Sequence, residues 1–436
     1  MKHVLGSTLV ALVAAPLLTA QSAIAPLATF GANGWLAPGT VPYLTTGNTE
    51  RGLAYNPTTG NLILVSRAGG INLQVLDGQT GLAVGSLNNT GIAGGTFAAN
   101  MVGVADDGSI HVCNLSTTAT SNFKVYSWPS EAAGAIGPAT VTYDALTGLG
   151  RTGDSFAVRG GGATAVRFAS SGSTPAANLS QNSCFVVGPV DGSNLSTAFT
   201  AVPGTSTANN DYRLAMTWID ANTLIGSQGS NARVTSIAGG TAALIDTIPT
   251  TAAQRAMDYT VIAGIPCLAI LDSNSSIVTI FDVSVPNTPV VLLSATTTTG
   301  TLVANVNGTG AVAWGAVNGN SATLYAMNSN QGIQAFAVTV QPPASATVVG
   351  VGCGGTPASF YEHFVPSTGF DLSNTALKMI NLGGSGYAVQ GIGNPYVPPS
   401  VGAVSLNLAD DGVTTVNLSA PFPHPSGATS SLVVFS

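Results

Sequence analysis

The chain has 436 residues, of which 45% are hydrophobic and only 7% are charged, and its formal net charge is −7. Because soluble domains usually carry about a quarter charged residues, the polar surface must come mainly from Ser, Thr, Asn and Gln. Three lysines and eight arginines form no basic run, which argues against nucleic acid or an anionic membrane as a partner. With 53 glycines and 24 prolines to supply turns, the composition favours an all-β fold of short strands.

The first residues predict a secretory signal peptide. A lysine and a histidine precede an apolar run at positions 4–18, and small residues follow it. The run is shorter than the roughly 20 apolar residues that a membrane-spanning helix needs. Cleavage is expected after Ala20 or after Ala25, and Pro26 argues against the second position. We assign residues 1–25, which include both positions, to the signal-peptide region and expect a secreted or cell-surface protein with no membrane span after cleavage.

The following residues repeat a pattern of short apolar runs separated by Gly, Asn or Asp turns. The first complete unit has four runs, Gly52–Tyr55, Leu62–Ser66, Asn72–Leu76 and Leu82–Leu87. Similar units begin near Met101, Asp154, Leu214, Met257 and Leu302. A repeat of roughly this length is typical of the four-stranded blades of a β-propeller. We predict a propeller over residues 26–340 with six blades, and the long unit from Asp154 to Asn210 leaves seven open.

The sixth unit lacks a fourth strand of its own. After Thr339 the chain enters a proline-containing segment at 341–346 that is predicted to be a linker. Without a further strand the last sheet would keep an open edge, which proteins generally avoid. The segment Gly34-Trp35-Leu36 has no partner in the first unit. We expect it to supply the missing outer strand and close the ring.

Residues 347–436 are predicted to form a small β-sandwich-like accessory domain. Apolar residues alternate with polar ones in Ala403–Leu408 and in Thr414–Leu418, as they do in half-buried strands. The sequence stops inside a strand-like run, Ser431–Phe435. This leaves open that the domain is truncated and that the sequence is a fragment of a longer protein.

The cysteines show no CxxC spacing, so a zinc or thioredoxin-like site is not supported. Three of them lie inside apparent strands and are predicted to be small buried hydrophobes, although the expected compartment permits disulfides. The four are Cys113, Cys184, Cys267 and Cys353.

No motif for catalysis or metal binding is evident. The Asp-Asp-Gly triplets at 106–108 and 410–412 are predicted to be hairpin turns, because neither resembles a calcium-binding loop. No histidine pair has metal-ligand spacing, and the chain has no Gly-x-Ser-x-Gly element. We therefore predict no catalytic residue, no metal and no cofactor, and favour a binding protein over an enzyme.

Four arginines occupy comparable places in the repeat, just before or slightly upstream of the first strand of a unit. They are Arg51, Arg151, Arg213 and Arg255. Because the first strand of each blade lines the central channel, these side chains are predicted to surround one mouth of it. Guanidinium groups bind carboxylates and sulfates through paired hydrogen bonds, so the ring is the candidate ligand site. The alternative is that each arginine pairs with an aspartate of a neighbouring blade, such as Asp154, Asp211 or Asp258.

Tryptophans are the other candidates for a sugar-binding surface, and packing between blades is the alternative for each. They are Trp35, Trp128, Trp218 and Trp314.

The hairpins Val75–Val84 and Ile277–Val283 resemble those of the YVTN-type and lactonase-like propeller superfamily. The stretch Tyr43–Leu62 resembles a family of uncharacterised secreted bacterial propeller proteins, and Phe360–Phe364 resembles accessory domains in exported proteins of planctomycete-like bacteria. Propeller lactonases hold a metal with carboxylate and Asn side chains in the channel. The resemblance therefore implies, as an alternative function, a metal-dependent lactonase-like or other hydrolase, although no residue here matches that ligand pattern.

Together these features predict a secreted or cell-surface propeller that acts as a binding scaffold. The expected partners are an anionic glycan, such as one bearing uronic acids or sulfates, or an extracellular protein.

Overall fold

A computed structural model describes the chain at residues 22–162, 164–173, 183–199, 202–205, 211–341, 346–347, 361–362, 376–381, 387–392, 413–424 and 427–435. One compact unit spans Ser22–Pro342, and the residues from Pro343 onwards belong to another. The two units are treated separately below.

The larger unit consists of six small antiparallel sheets, which we number as blades 1 to 6 in chain order. From the innermost strand outwards, the strands of the first three blades are Glu50–Tyr55, Asn61–Ser66, Asn72–Asp77 and Ala83–Ser86; Phe97–Val104, Ile110–Leu115, Phe123–Trp128 and Thr140–Ala145; and Arg151–Gly161, Thr164–Ser173, Cys184–Pro189 and Thr197–Phe199. Those of the last three are Ala215–Trp218, Thr223–Ser227, Ala232–Ser236 and Ala243–Ile248; Gln254–Ile262, Ile265–Asp272, Val278–Asp282 and Val290–Ala295; and Gly310–Asn318, Ser321–Asn328, Gly332–Thr339 and Ala23–Pro26.

The innermost strands of successive blades are neighbours, and that of blade 6 returns to that of blade 1. The predicted six-bladed propeller is therefore confirmed. The long unit that begins near Asp154 forms one blade rather than two, because its first two strands are unusually long. Helical structure among the described residues is confined to Glu131–Ile136 and a single turn at Ala238–Gly240. No helix in that part of the chain is long and apolar enough to cross a bilayer.

Two N-terminal strands complete blade 6. Trp35–Leu36 pairs with the third strand of the blade, opposite Gln334 and Ile333, as the sequence predicts. Ala23–Pro26 pairs with the same strand farther along, with Ile24 opposite Val338. This second strand lies across the boundary that the sequence places between residues 25 and 26. The last sheet therefore contains chain from both ends of the unit.

Six hydrophobic clusters fill the six interfaces between adjacent blades. Successive side chains of a strand point to opposite faces of its sheet, so each blade contributes to two clusters. The cluster between blades 6 and 1 also takes Phe30 and Leu44 from the N-terminal segment. Cys113, Cys184 and Cys267 are buried free thiols, which agrees with their interpretation as small hydrophobes. Cys353 lies outside the described residues.

The second unit contains three antiparallel strand pairs in its described part. They are Ala346–Thr347 with Tyr361–Glu362, Ala376–Asn381 with Tyr387–Ile392, and Val413–His424 with Gly427–Phe435. This is β structure, as expected, and its arrangement as a sandwich stays a prediction. The Asp-Asp-Gly triplet at 410–412 lies outside the described residues.

Candidate functional site

A β-bulge recurs where the innermost strand of a blade begins. The register between the first two strands shifts after Glu50 in blade 1, after Phe97 in blade 2, after Thr152 in blade 3 and after Gln254 in blade 5. A bulge leaves one or more residues of a strand unpaired and turns their side chains away from the regular pleat. Four blades thus present irregular backbone at the same end of the channel.

Five arginines and one aspartate gather at this end of the propeller, which we call the mouth. They are Arg51, Arg67, Arg151, Asp154, Arg213 and Arg255. Arg51, Asp154 and Arg255 lie within bulges, and Arg213 lies two residues before the innermost strand of blade 4 begins. The mouth therefore holds most of the arginines in an acidic chain.

Asp154 binds two of the four arginines that the sequence singled out. Arg151 donates from Nε and Nη2 to its carboxylate, the latter over 2.8 Å, and Arg213 donates from Nε to Oδ2 over 2.9 Å. The aspartate side chain is only 12% exposed, and its hydrogen bonds raise the pKa of Arg151. For these two residues the structure shows the predicted alternative, pairing with an aspartate. Asp211 instead pairs with Arg233, and Asp258 accepts hydrogen bonds from Thr217 and from the backbone of Trp314.

Arg51 has no carboxylate partner among the described residues. Its Nη1 donates to Thr309 Oγ1 over 3.0 Å, and its Nη2 donates to the Asn48 carbonyl over 2.6 Å. Its Nε is buried and has no acceptor in the described part of the chain. Burial lowers the pKa of Arg51, and the charge of Arg151 lowers it further, while Asp154 and Glu50 oppose the shift. The side chain is therefore a poorly compensated cation.

Arg67 also belongs to the mouth, although the sequence analysis missed it. It follows the second strand of blade 1, and its guanidinium lies 3.6 Å above the ring of Phe97, which is 42% exposed. Burial, followed by the charge of Arg51, lowers the pKa of Arg67 to about 10. Its Nη1 is buried without an acceptor among the described residues. Its place at the mouth could have been predicted. In an antiparallel sheet the end of a blade's second strand lies beside the start of its first strand, so residues that follow the second strand reach the same end of the channel.

Arg255 lies beside the loop that also contacts Arg51, since Gly308 immediately precedes Thr309. Its Nε donates to the carbonyl of Ala252 over 3.0 Å, and its guanidinium packs against Gly308. A Cβ at position 308 would overlap that guanidinium, so glycine is required there for Arg255 to adopt this position. Burial lowers the pKa of Arg255, and the charge of Arg213 lowers it further. The mouth thus combines two arginines bound to Asp154 with three that lack a carboxylate partner among the described residues.

The channel below the mouth is narrow, and the side chains that line it are mostly apolar, while backbone polar groups form much of its exposed surface. A cavity of about 50 Å³ lies between the innermost strands of several blades. Methionine, leucine, valine, alanine and phenylalanine side chains form most of its wall, and Ser155 contributes the one hydroxyl group of that wall. Within the described ranges, no group of three or more His, Cys, Asp or Glu side chains is arranged to hold a metal. A ligand at the mouth would meet cations around its edge and, beneath them, mostly apolar side chains together with backbone polar groups.

The tryptophans contribute to packing rather than to an open surface. Trp128, Trp218 and Trp314 are at most 9% exposed, which agrees with packing between blades. Trp35 is half-buried, and its Nε1 donates to the carbonyl of Gln331 over 2.7 Å. The exposed aromatic ring beside the mouth is that of Phe97, which the sequence analysis did not single out.

No protein-family model and no curated protein sequence matches the chain. Among solved structures, a DUF4623 family protein from Bacteroides eggerthii is 14% identical, with a TM-score of 0.47 over 68% of this chain and 71% of that one. A gluconolactonase from Xanthomonas campestris is 14% identical, with a TM-score of 0.43 over 73% and 90% of the two chains. A chain of a nidogen/laminin complex is 12% identical, with a TM-score of 0.37 over 58% and 82%. These likenesses assign no residue, ligand or reaction to this chain.

Proposed function

We propose that this protein is a binding scaffold whose propeller mouth holds an anionic group of an extracellular glycan, such as a uronate or a sulfated sugar. The observation that supports this most directly is the pair of orphaned donors at the mouth. Arg51 Nε and Arg67 Nη1 are buried, and no described group accepts a hydrogen bond from either. A buried donor without an acceptor costs about 1–3 kcal/mol, and more when the group is charged. A carboxylate or sulfate that displaced the groups covering these nitrogens would supply the missing acceptors.

The electrostatics of the mouth favour the same class of ligand. The charges of Arg151 and Arg213 are offset by Asp154, whereas Arg51, Arg67 and Arg255 have lowered pKa values because they are buried near other cations. An anion placed between them would reverse that shift and stabilise their charged forms. Planar guanidinium groups suit carboxylates and sulfates because two parallel hydrogen bonds can form.

The apolar parts of the site favour a sugar over a simple ion. Phe97 is partly exposed beside Arg67, and most side chains that line the cavity below the mouth are apolar. A pyranose ring has apolar C–H faces that pack on aromatic and aliphatic side chains, while its acidic group projects toward a cation. Export through the predicted signal peptide would bring the protein to such glycans, so a secreted or cell-surface location is part of the proposal.

Calorimetric titration of the full chain with defined oligosaccharides tests the proposal. Oligogalacturonate, alginate and heparin oligosaccharides are compared with a neutral maltooligosaccharide of similar length. We expect an acidic oligosaccharide to bind, with an affinity that falls as NaCl is raised, because added salt screens the arginines. The double variant Arg51→Gln/Arg67→Gln should bind at least about tenfold more weakly, since it loses two charge-assisted hydrogen-bond donors.

Two further variants make this result specific. Lys124→Gln removes a cation that pairs with Asp144 in the outer strands of blade 2, and it should leave the affinity unchanged. Asp154→Asn frees Arg151 and Arg213 and should strengthen binding. The proposal is wrong if no acidic oligosaccharide binds, or if the arginine double variant binds as the wild type does. A specific extracellular protein that binds where glycans do not would favour the other predicted partner, and metal-dependent turnover of a lactone would favour the hydrolase.

A further inference from the structure

A second pair of arginines lies at the opposite end of the innermost strands, away from the mouth. Arg159 is near the end of the innermost strand of blade 3, and Arg167 is on the next strand of the same blade. The two residues are direct cross-strand partners. Residues placed opposite each other on antiparallel strands have Cβ atoms only about 4.5–5.5 Å apart, and like charges there are destabilising.

Trp218 brings the two cations to the interface between blades 3 and 4. It is the last residue of the innermost strand of blade 4, and its indole Nε1 donates to the carbonyl of Ala157 over 3.3 Å. The guanidinium carbons of Arg159 and Arg167 lie 5.7 and 5.6 Å from the centre of its ring. Both distances are within the range of a cation–π interaction, which attracts each arginine to the same indole.

Neither arginine of this pair forms an ion pair among the described residues, although Asp106 and Asp107 lie against residues 160–162 nearby. Arg167 donates from Nη1 to the carbonyl of Ala221 over 3.0 Å, whereas Nη1 of Arg159 is buried with no acceptor in the described part of the chain. Burial lowers the pKa of Arg167, and the charge of Arg159 lowers it further. The arrangement thus keeps two like charges together and leaves one buried donor unsatisfied.

We propose that Arg159, Arg167 and Trp218 form a second anion site between blades 3 and 4, which takes a compact oxyanion such as a sulfate, phosphate or carboxylate group. One anion would offset the repulsion between the two guanidinium groups, and a small shift of Arg159 would let its unused Nη1 donate a hydrogen bond to that anion. The indole holds both side chains near each other before the anion binds. This site is separate from the mouth and does not depend on the glycan proposal.

The proposal predicts that replacing Arg167 has opposite effects on thermal stability with and without a bound anion. In chloride buffer, Arg167→Gln should leave the melting temperature unchanged or raise it, because the substitution removes a like-charge contact. With sulfate at matched ionic strength, the wild type should gain thermal stability, and Arg167→Gln should lose most of that gain. Titrations with sodium sulfate, phosphate and acetate, followed by tryptophan fluorescence of the full chain, give the affinities and rank the three groups.

Arg159→Gln provides an independent variant, and each single change should weaken sulfate binding about tenfold through loss of a charge-assisted contact. The mouth variant Arg51→Gln/Arg67→Gln should keep the sulfate response, which separates the two sites. Trp218→Phe should remove the fluorescence change while the sulfate-dependent thermal shift persists in reduced form. An equal sulfate stabilisation of wild type, Arg159→Gln and Arg167→Gln would overturn the proposal, as would a response that disappears with the mouth variant.

Discussion

Asp154 and Arg67 show how single residues determine the charge distribution at the mouth. The position of the arginines before the first strands could be predicted from the sequence, because the repeat sets which end of each strand faces the channel. The pairing could not be predicted, because a bulge and not a motif places Asp154 between Arg151 and Arg213. Arg67 was missed for a related reason. It follows the second strand of its blade instead of preceding the first, and its contact with Phe97 joins neighbouring blades, which sequence spacing does not reveal.

His111 is a buried histidine whose ionisation we expect to affect stability. It is 3% exposed in the second strand of blade 2, where its imidazole lies between the hydroxyls of Ser127, 2.6 Å from Nδ1, and Ser109, 3.0 Å from Nε2. Burial lowers the pKa of His111 to about 4, although the nearby Asp107 charge opposes the shift. The site thus favours the neutral imidazole, held by two hydrogen bonds.

This depressed pKa predicts a loss of stability at mildly acidic pH. In the unfolded chain the pKa of histidine is about 6.5, so below that pH the unfolded state takes up a proton that the folded state excludes. The contribution of His111 is therefore complete above about pH 6.5 and declines as the pH falls towards 4, by about 3 kcal/mol in all. Urea unfolding of the full chain at pH 7.5 and pH 4.5 measures the difference in free energy of unfolding.

A His111→Gln variant provides the control, because an amide can hydrogen-bond to both serines without titrating. It should lose much less stability between the two pH values than the wild type does. Aspartates with lowered pKa values, such as Asp77 and Asp107, lose their contributions only below about pH 4, so they do not disturb this window. An equal loss in wild type and variant would show that other groups cause the acid sensitivity.

At the scale of strands and turns, the sequence pattern was most informative where strands are regular. The third strand of blade 1 is predicted as Asn72–Leu76 and observed as Asn72–Asp77, because alternation and the following Asp-Gly turn mark both ends. The first strand of blade 6 is predicted near Leu302 and begins at Gly310. The residues before it form a turn in which Asn305 bonds to Thr309 and to Asn328. Such side-chain-supported turns contain apolar residues that resemble strand starts.

Asn330 is the turn residue that we expect to matter most for joining blades 6 and 1. It has a φ of 73°, and its side chain donates to Asn48 Oδ1 and to the carbonyl of Ala304, both over 2.9 Å, and accepts from Asn48 N over 2.6 Å. Asn330→Gly keeps the backbone conformation and removes these three bonds. The loss of buried hydrogen bonds should lower the free energy of unfolding by about 2 kcal/mol, which thermal or urea unfolding can measure.

Asn231 supplies a matched control in the corresponding loop of blade 4. It also has a positive φ, 70°, but it is exposed and its side chain makes no hydrogen bond within the described residues. Asn231→Gly should therefore be neutral or slightly stabilising, because glycine adopts this conformation without strain. If both variants lost the same stability, the side-chain bonds of Asn330 would not be what joins the blades.

The ring as a whole depends on chain that lies far apart in sequence. Each interface between blades has its own apolar cluster, but the one between blades 6 and 1 also needs the N-terminal segment, through Phe30 and Leu36. The sixth unit lacked a fourth strand and the segment Gly34-Trp35-Leu36 had no partner, and these two features were enough to predict that Trp35 pairs with blade 6 and closes the ring. The strand Ala23–Pro26 was not anticipated, because its short run of small residues is equally typical of the end of a signal peptide.

Because of that strand, the two expected cleavage positions would have different consequences for the fold. A chain that begins at Gln21 keeps Ala23, Ile24 and Ala25 paired with residues 337–339, whereas a chain that begins at Pro26 loses this pairing and the half-buried Ile24 side chain. The shorter chain would also leave that part of the last strand as an open edge, which favours aggregation. Lost burial and hydrogen bonding should lower its free energy of unfolding by about 2 kcal/mol.

Two measurements test this prediction. They are the melting temperatures of both purified chains and the N-terminal residue of the exported protein, determined by mass spectrometry. We expect the exported chain to begin at Gln21 and to be the more stable form, and an exported chain that begins at Pro26 with undiminished stability would show that Ala23–Ala25 is dispensable for closure.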